Sequence, residues 1–159
     1  MSDNPDEQGK LTPALSKKLP ASLKSDARNG NLQPILAALE AKEIDINATD
    51  GAGWTMLHHA AWTGEADVVT YLLNHDADLM AETLAHENAL YLVCQSSRWK
   101  AEPKEKLAQR IDIVEGLLMF GLEPSCGGGC ERAPADVACP EIKKLVNDYC
   151  PTSIKPARG

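Results

Sequence analysis

The sequence predicts an all-α solenoid of about four stacked helix-turn-helix units joined by short β-turn connections. Three observations point there. Apolar residues make up 43% of the chain but aromatic ones only 4%, with a single Phe, so the core has to be built from Leu, Ile, Val and Ala, as in closely packed helices. These residues recur at helical spacing: Val68, Val69, Leu72 and Leu73 form a stripe broad enough to pack between neighbours. The chain also repeats itself, with Asp67-Val-Val69 and Leu72-Leu73 returning as Asp112-Ile-Val114 and Leu117-Leu118. A unit that cannot bury its apolar face alone has to stack on a copy of itself.

Taken in order, residues 1–20 mix Ser, Asp, Asn, Pro, Gln, Gly and Lys with scattered Leu, and too little apolar surface offsets the entropy of ordering, so a flexible tail is expected. The solenoid is expected over 21–150. In its first part Asn29-Gly30-Asn31-Leu32 reads as an inter-helix turn and Ile44-Asp45-Ile46-Asn47 as a strand-like segment. Thr55 is a good N-cap, and Leu57, Ala60 and Ala61 mark one apolar face in which small alanines let helices approach closely. Between 98 and 109 the repeat register breaks. Pro103 suits a first helical position, and Leu107, Ile111, Val114 and Leu118 run as one stripe into the following helix. The insertion therefore extends that helix backwards, and the extension is expected to protrude above the row. Residues 151–159, with two prolines, read as a second flexible tail.

The block Asp50-Gly-Ala-Gly-Trp-Thr-Met-Leu-His-His-Ala-Ala-Trp-Thr-Gly64, followed by Glu65–Leu73 and Asp76-Ala-Asp-Leu79, resembles one complete ankyrin repeat. At that family's period of about 33 residues, Thr55, Leu57, His58, Ala60 and Ala61 fall on Asn88, Leu90, Tyr91, Val93 and Cys94, a second and degenerate copy. Leu23–Asn47 then corresponds to the second half of a unit, and 133–146 to a shortened last one, as expected of terminal units that meet water. Two residues depart from the family pattern. Met56 stands where Pro is usual, and Asp76 stands where the helix usually ends in Gly, whereas Gly121 conforms.

The resemblance implies protein–protein recognition through the turn tips and the exposed face of the first helices. The positions carried over are Gly51, Ala52, Trp54, Trp62 and Thr63 in the complete repeat, and Leu84, Ala85, Glu87, Gln95 and Ser96 in the next. Two of the three tryptophans, Trp54 and Trp62, thus fall on contact positions, although either could instead fold down as a lid on its own turn. Trp99, between Arg98 and Lys100 in the insertion, is a further candidate. The same resemblance makes His58 a structural hydrogen-bonding group between repeats, and Asn47 a candidate for hydroxylation.

Other chemistry finds little footing. A formal charge of −7, from 16 basic and 23 acidic side chains, argues against nucleic acid as a partner. No apolar run approaches the roughly 18–20 residues that span a bilayer, and the N-terminus lacks a basic segment followed by an apolar one, so a cytoplasmic monomer without a membrane partner is expected. His58 and His59 are adjacent, and point too far apart on a helix to share a metal. Cys126-Gly-Gly-Gly-Cys130, with Cys139 and Cys150, leaves zinc, a disulfide or a free-thiol loop open, so a metal- or redox-responsive element is the alternative reading. No nucleophile, zincin or paired-acid motif is present, and neither an enzyme activity nor a cofactor is expected.

Overall fold

A computed structural model describes residues 15–99, 103–123 and 134–149, except for the side chains of residues 98, 99, 135, 136 and 149. Strand β1 (Ser16–Lys18) leads into helices α1 (Ala21–Asn29) and α2 (Leu32–Glu40), then β2 (Ile44–Thr49). The pairs α3 (Met56–Thr63) with α4 (Ala66–Asn74), and α5 (Ala89–Trp99) with α6 (Lys104–Met119), follow. The described chain ends with α7 (Pro134–Val137) and α8 (Pro140–Tyr149).

The helices stack in two layers. Among the first helices α3 packs on both α1 and α5, and α5 on α7; behind them α4 packs on α6 and α6 on α8. Small residues make the close approach possible: Ala27, Ala60, Ala61, Val93 and Cys94 are all fully buried where the first helices meet. Ile35, Val68, Leu72, Ile113 and Leu117 carry the same core through the second layer.

The two central units each begin at a side-chain cap. Thr55 Oγ1 accepts the backbone N–H of His58 at 3.3 Å, while His58 Nδ1 accepts that of Thr55 at 3.0 Å, a reciprocal box in which His replaces the usual Glu. One period on, Asn88 Oδ1 accepts the N–H of Tyr91 at 2.9 Å. Unit ends are less uniform. Asp76 takes the left-handed conformation itself, with φ 61°, which costs a residue with a Cβ about 1–2 kcal/mol. Asp76→Gly is expected to stabilise by up to about 1 kcal/mol after the added entropy of the unfolded chain, raising the thermal midpoint by about 2–4 °C. A lower midpoint would mean that the carboxylate contributes more than the backbone strain costs.

Two expectations are corrected. The flexible tail expected over 1–20 overlaps ordered structure. Strand β1 pairs in parallel with β2 (Ser16 with Ile44, Lys18 with Thr49), and Leu19 is buried while its N–H bonds Thr49 O at 2.9 Å. The edge of β2 needs partners for its backbone groups, and one apolar side chain anchors the segment that supplies them. Residues 1–14 and 150–159 lie outside the described part.

The insertion does lengthen the second helix, since α6 runs 16 residues against 9 for α4, with Pro103 at its N-cap. The extension does not stand clear of the row, because side chains of its first two turns are tied to the C-terminal end of α3. Arg110, only 1% exposed, donates to Ser96 Oγ (2.6 Å), Trp62 O (3.1 Å) and Ala61 O (3.4 Å), and Lys106 pairs with Glu65. Beyond the cap N–H of Gly64 on Ala61 O at 3.3 Å, these last carbonyls of α3 look for donors outside the helix, and the negative end of the helix dipole favours a cation there. Gly64 makes room: it is left-handed (φ 78°), and a Cβ on it would stand 3.2 Å from Arg110 Cγ.

Candidate partner-binding face

The turn before α3 is organised by one carboxylate. Asp50 Oδ1 accepts the N–H groups of Ala52 (2.9 Å) and Trp54 (3.0 Å), while the backbone closes through Gly53 N to Asp50 O and Asp50 N to Trp54 O, each 3.0 Å. One period later Thr83 does the same work with its hydroxyl, accepting from Ala85 and Glu87 at 3.2 Å. The two tips join where Leu84 N donates to Ala52 O at 3.0 Å. Gly53 is required at that junction, since its φ is 77° and a Cβ would stand 2.9 Å from Leu84 N. Leu84 itself remains 75% exposed at the tip.

The second oxygen of Asp50 gathers side chains from two units: Oδ2 receives His59 Nε2 at 2.9 Å and Lys24 Nζ at 3.3 Å. Burial alone would raise the Asp50 carboxyl, but the N–H of Trp54, His59, the N–H of Ala52 and Lys24 outweigh it and hold the pKa at about 2. Burial lowers the pKa of His59 despite the carboxylate, so the neutral ring donates through Nε2. Its Nδ1 is then a lone pair, buried without a partner among the described residues. Trp54 lies over the His59 ring with centroids 4.9 Å apart, and Trp62 meets Trp54 edge-on at 5.9 Å and 73°.

Both indoles are half-buried. Neither stands free: the two rings pack on each other and Trp54 packs on His59 of its own unit, with part of each indole still accessible. Thr63, half-buried, is turned back on its own helix, with Oγ1 donating to His59 O at 3.0 Å. Glu87 is half-buried at the second tip, where burial raises its carboxyl pKa, and Gln95 is half-buried on α5. Trp99 closes α5, and its side chain is outside the described residues. Ser96 does not belong to the surface. It is 4% exposed and occupied by Val93 O and Arg110.

A family model for ankyrin repeats in three copies matches residues 23–126. The chain belongs to the ankyrin-repeat family. The match runs from α1 past α6, and includes the insertion. Human Rabankyrin-5 is 28% identical over 137 residues, covering 78% of this chain and 12% of that protein. Protein phosphatase 1 regulatory subunit 27 of Mus musculus is 21% identical over 127 residues, 80% of this chain and 75% of its own. Palmitoyltransferase akr1 of Schizosaccharomyces pombe is 38% identical over 55 residues, 35% of this chain and 9% of that protein. The ankyrin chain thus spans only about an eighth of the length of Rabankyrin-5.

The remaining ankyrin histidines each have a partner of their own. His58 Nε2 donates to Ala81 O at 2.9 Å, tying the complete unit to the next turn, and burial holds its pKa at about 4. His75 stacks on Tyr71 at 4.0 Å and contacts Tyr71 O, and His86 stands near Glu82. Asn47 Oδ1 receives the N–H of Asp78 at 2.8 Å, a structural link between successive units. Among the described residues no three His, Cys, Asp or Glu are grouped to hold a metal. Cys94 is buried, which raises its thiol pKa; Cys139 is half-buried; Cys126, Cys130 and Cys150 lie outside the described residues. No helix among the described residues is long and apolar enough to cross a membrane.

Sequence reasoning missed Asp50, His59 and Lys24 as the support of the tryptophans. An Asp-Gly pair at 50–51 is a turn signal. That the same carboxylate reaches α1 and α3 is visible only after folding.

Proposed function

We propose that this ankyrin-repeat chain holds a partner protein on the face made by its turn tips and first helices, with Trp54 and Trp62 as the central contacts and Thr63, Glu87, Gln95 and Trp99 around them. The reading rests above all on the Trp54–Trp62 pair. On a protein whose core is built almost entirely from aliphatic residues, two large aromatic side chains sit half-exposed and edge to face, braced by His59 and Asp50. Rigid, partly exposed tryptophans lose little entropy on binding and dominate many interfaces, where truncation often costs about 2 kcal/mol or more. Ankyrin repeats are generally interaction modules, and one relative is named as a regulatory subunit of a phosphatase, which supports a holding role over a catalytic one.

The test is capture of partners from extract by the full chain against its Trp54→Ala/Trp62→Ala variant, with bound proteins identified by mass spectrometry. We expect proteins retained by wild type to be lost by the variant, while its circular dichroism melt stays cooperative. Identical lists from the two chains would refute the reading.

A further inference from the structure

Beside the tryptophan pair, α1 and α3 enclose a groove lined by Ala21, Lys24, Ser25, Arg28, Asn29 and Thr63. It contains two cations and no acid, on a chain whose formal charge is −7. Lys24 and Arg28 stand one turn apart on α1. Asp50 reaches Lys24 at 3.3 Å, but this carboxylate is shared with His59 and two backbone N–H groups, so it only partly neutralises the pair. Arg28 is exposed and makes no ion pair among the described residues. After burial, which dominates, and against the pull of Asp50, the fields of both cations also act on His59.

Groove and aromatic cluster are adjacent parts of one face, because Asp50 joins Lys24 to His59 and Trp54 lies on His59. We propose that this face takes an acidic segment of a partner protein, with a carboxylate on Arg28 and Lys24 and a neighbouring aromatic or aliphatic side chain against Trp54 and Trp62. The proposal rests on the recognition reading above and names the partner's chemistry. Guanidinium binds carboxylate through two parallel hydrogen bonds, and an unpaired Arg at a groove is the donor such a ligand needs. A nucleic acid fits less well, since its affinity comes from many neutralised phosphates and the groove offers two cations on an acidic protein.

A random peptide library displayed on phage, selected against the full chain, tests the idea. Selected peptides are expected to carry Asp or Glu close to an aromatic residue or Leu. The strongest of them, made as a free peptide, should bind about tenfold or more weakly to Arg28→Glu and to Thr63→Glu, and more weakly as salt is added. Thr63→Glu places an acid in the groove while leaving both cations in place, and wild-type melting of either variant excludes unfolding as the cause. Peptides that depend on Trp54 and Trp62 but show no acidic preference would overturn the acidic partner and leave the recognition face standing. Selection unaffected by Trp54→Ala/Trp62→Ala, or no selection at all, would overturn both. A mixed-sequence single-stranded DNA that binds as tightly as the best peptide would overturn the choice of a protein ligand.

Discussion

Replacing Arg110 with Met is expected to cost the fold about 2–3 kcal/mol, the largest effect on stability of any single change considered. The guanidinium is 1% exposed and donates to Ser96 Oγ, Trp62 O and Ala61 O. Met fills much of the volume but donates nothing, so Trp62 O and Ser96 Oγ lose this donor while Ala61 O keeps the N–H of Gly64 at 3.3 Å, a loss of about 1–3 kcal/mol for the donor that is not replaced. A domain stable by about 5–15 kcal/mol loses a large fraction of its margin. Arg110→Lys should lose less, since the charge is kept and the planar fork is not. The location of the damage is as informative as its size. In a solenoid, stability is close to a sum of unit and interface contributions, and Arg110 belongs to the interface between the complete unit and the next. Hydrogen exchange of Arg110→Met should therefore show α5 and α6 losing protection while α1 and α2 keep theirs. A uniform loss, or a urea midpoint matching wild type, would contradict this account.

The parts of the fold that were legible in the sequence are those written in local periodicity. Val68, Val69, Leu72 and Leu73 point one way on α4 whatever surrounds them, and the copy at Asp112–Leu118 states that the unit repeats. Thr55 as a cap was legible because it acts within its own first turn, whereas His58 as a tie to Ala81 in the next unit was legible only through the resemblance to the repeat. Strand β1 was not. Ser16-Lys17-Lys18 is exposed throughout and has no alternation to read; it is a strand only because β2 offers an edge. Arg110 left a signal that went unused: it falls three residues after Leu107 and four before Val114, on the apolar stripe itself, where a charge must find buried acceptors. The candidate face was half legible. Trp54 and Trp62 follow from the repeat, but their bracing by His59, Asp50 and Lys24 joins residues far apart in the chain, and only packing brings them together.

Acid should weaken this protein well before its carboxylates titrate, and His58 is the main cause. In the folded chain burial holds its pKa at about 4, against an ordinary 6.5, and the ring stays neutral to donate to Ala81 O. Between those two values the unfolded chain binds a proton that the folded chain refuses, so stability falls as pH drops from about 6.5 to about 4 and is fully present above that window. At about 1.4 kcal/mol per unit, the loss is about 2 kcal/mol by pH 5 and about 3 kcal/mol by pH 4. His59, whose pKa burial also lowers, adds to the loss in the same direction. Asp50 acts in a lower window: with its carboxyl held at about 2 instead of 3.8, its contribution disappears only as pH falls from 3.8 towards 2. Urea midpoints at pH 7, 6, 5 and 4, taken for wild type and His58→Gln, separate these contributions. The glutamine amide can still donate to Ala81 O but cannot titrate, so the variant should be less stable than wild type at pH 7 and lose less on acidification. Equal pH dependence of the two chains between 6.5 and 4 would mean that His58 takes up its proton as readily in the folded chain as in the unfolded one, and would remove the histidine as the source of acid sensitivity.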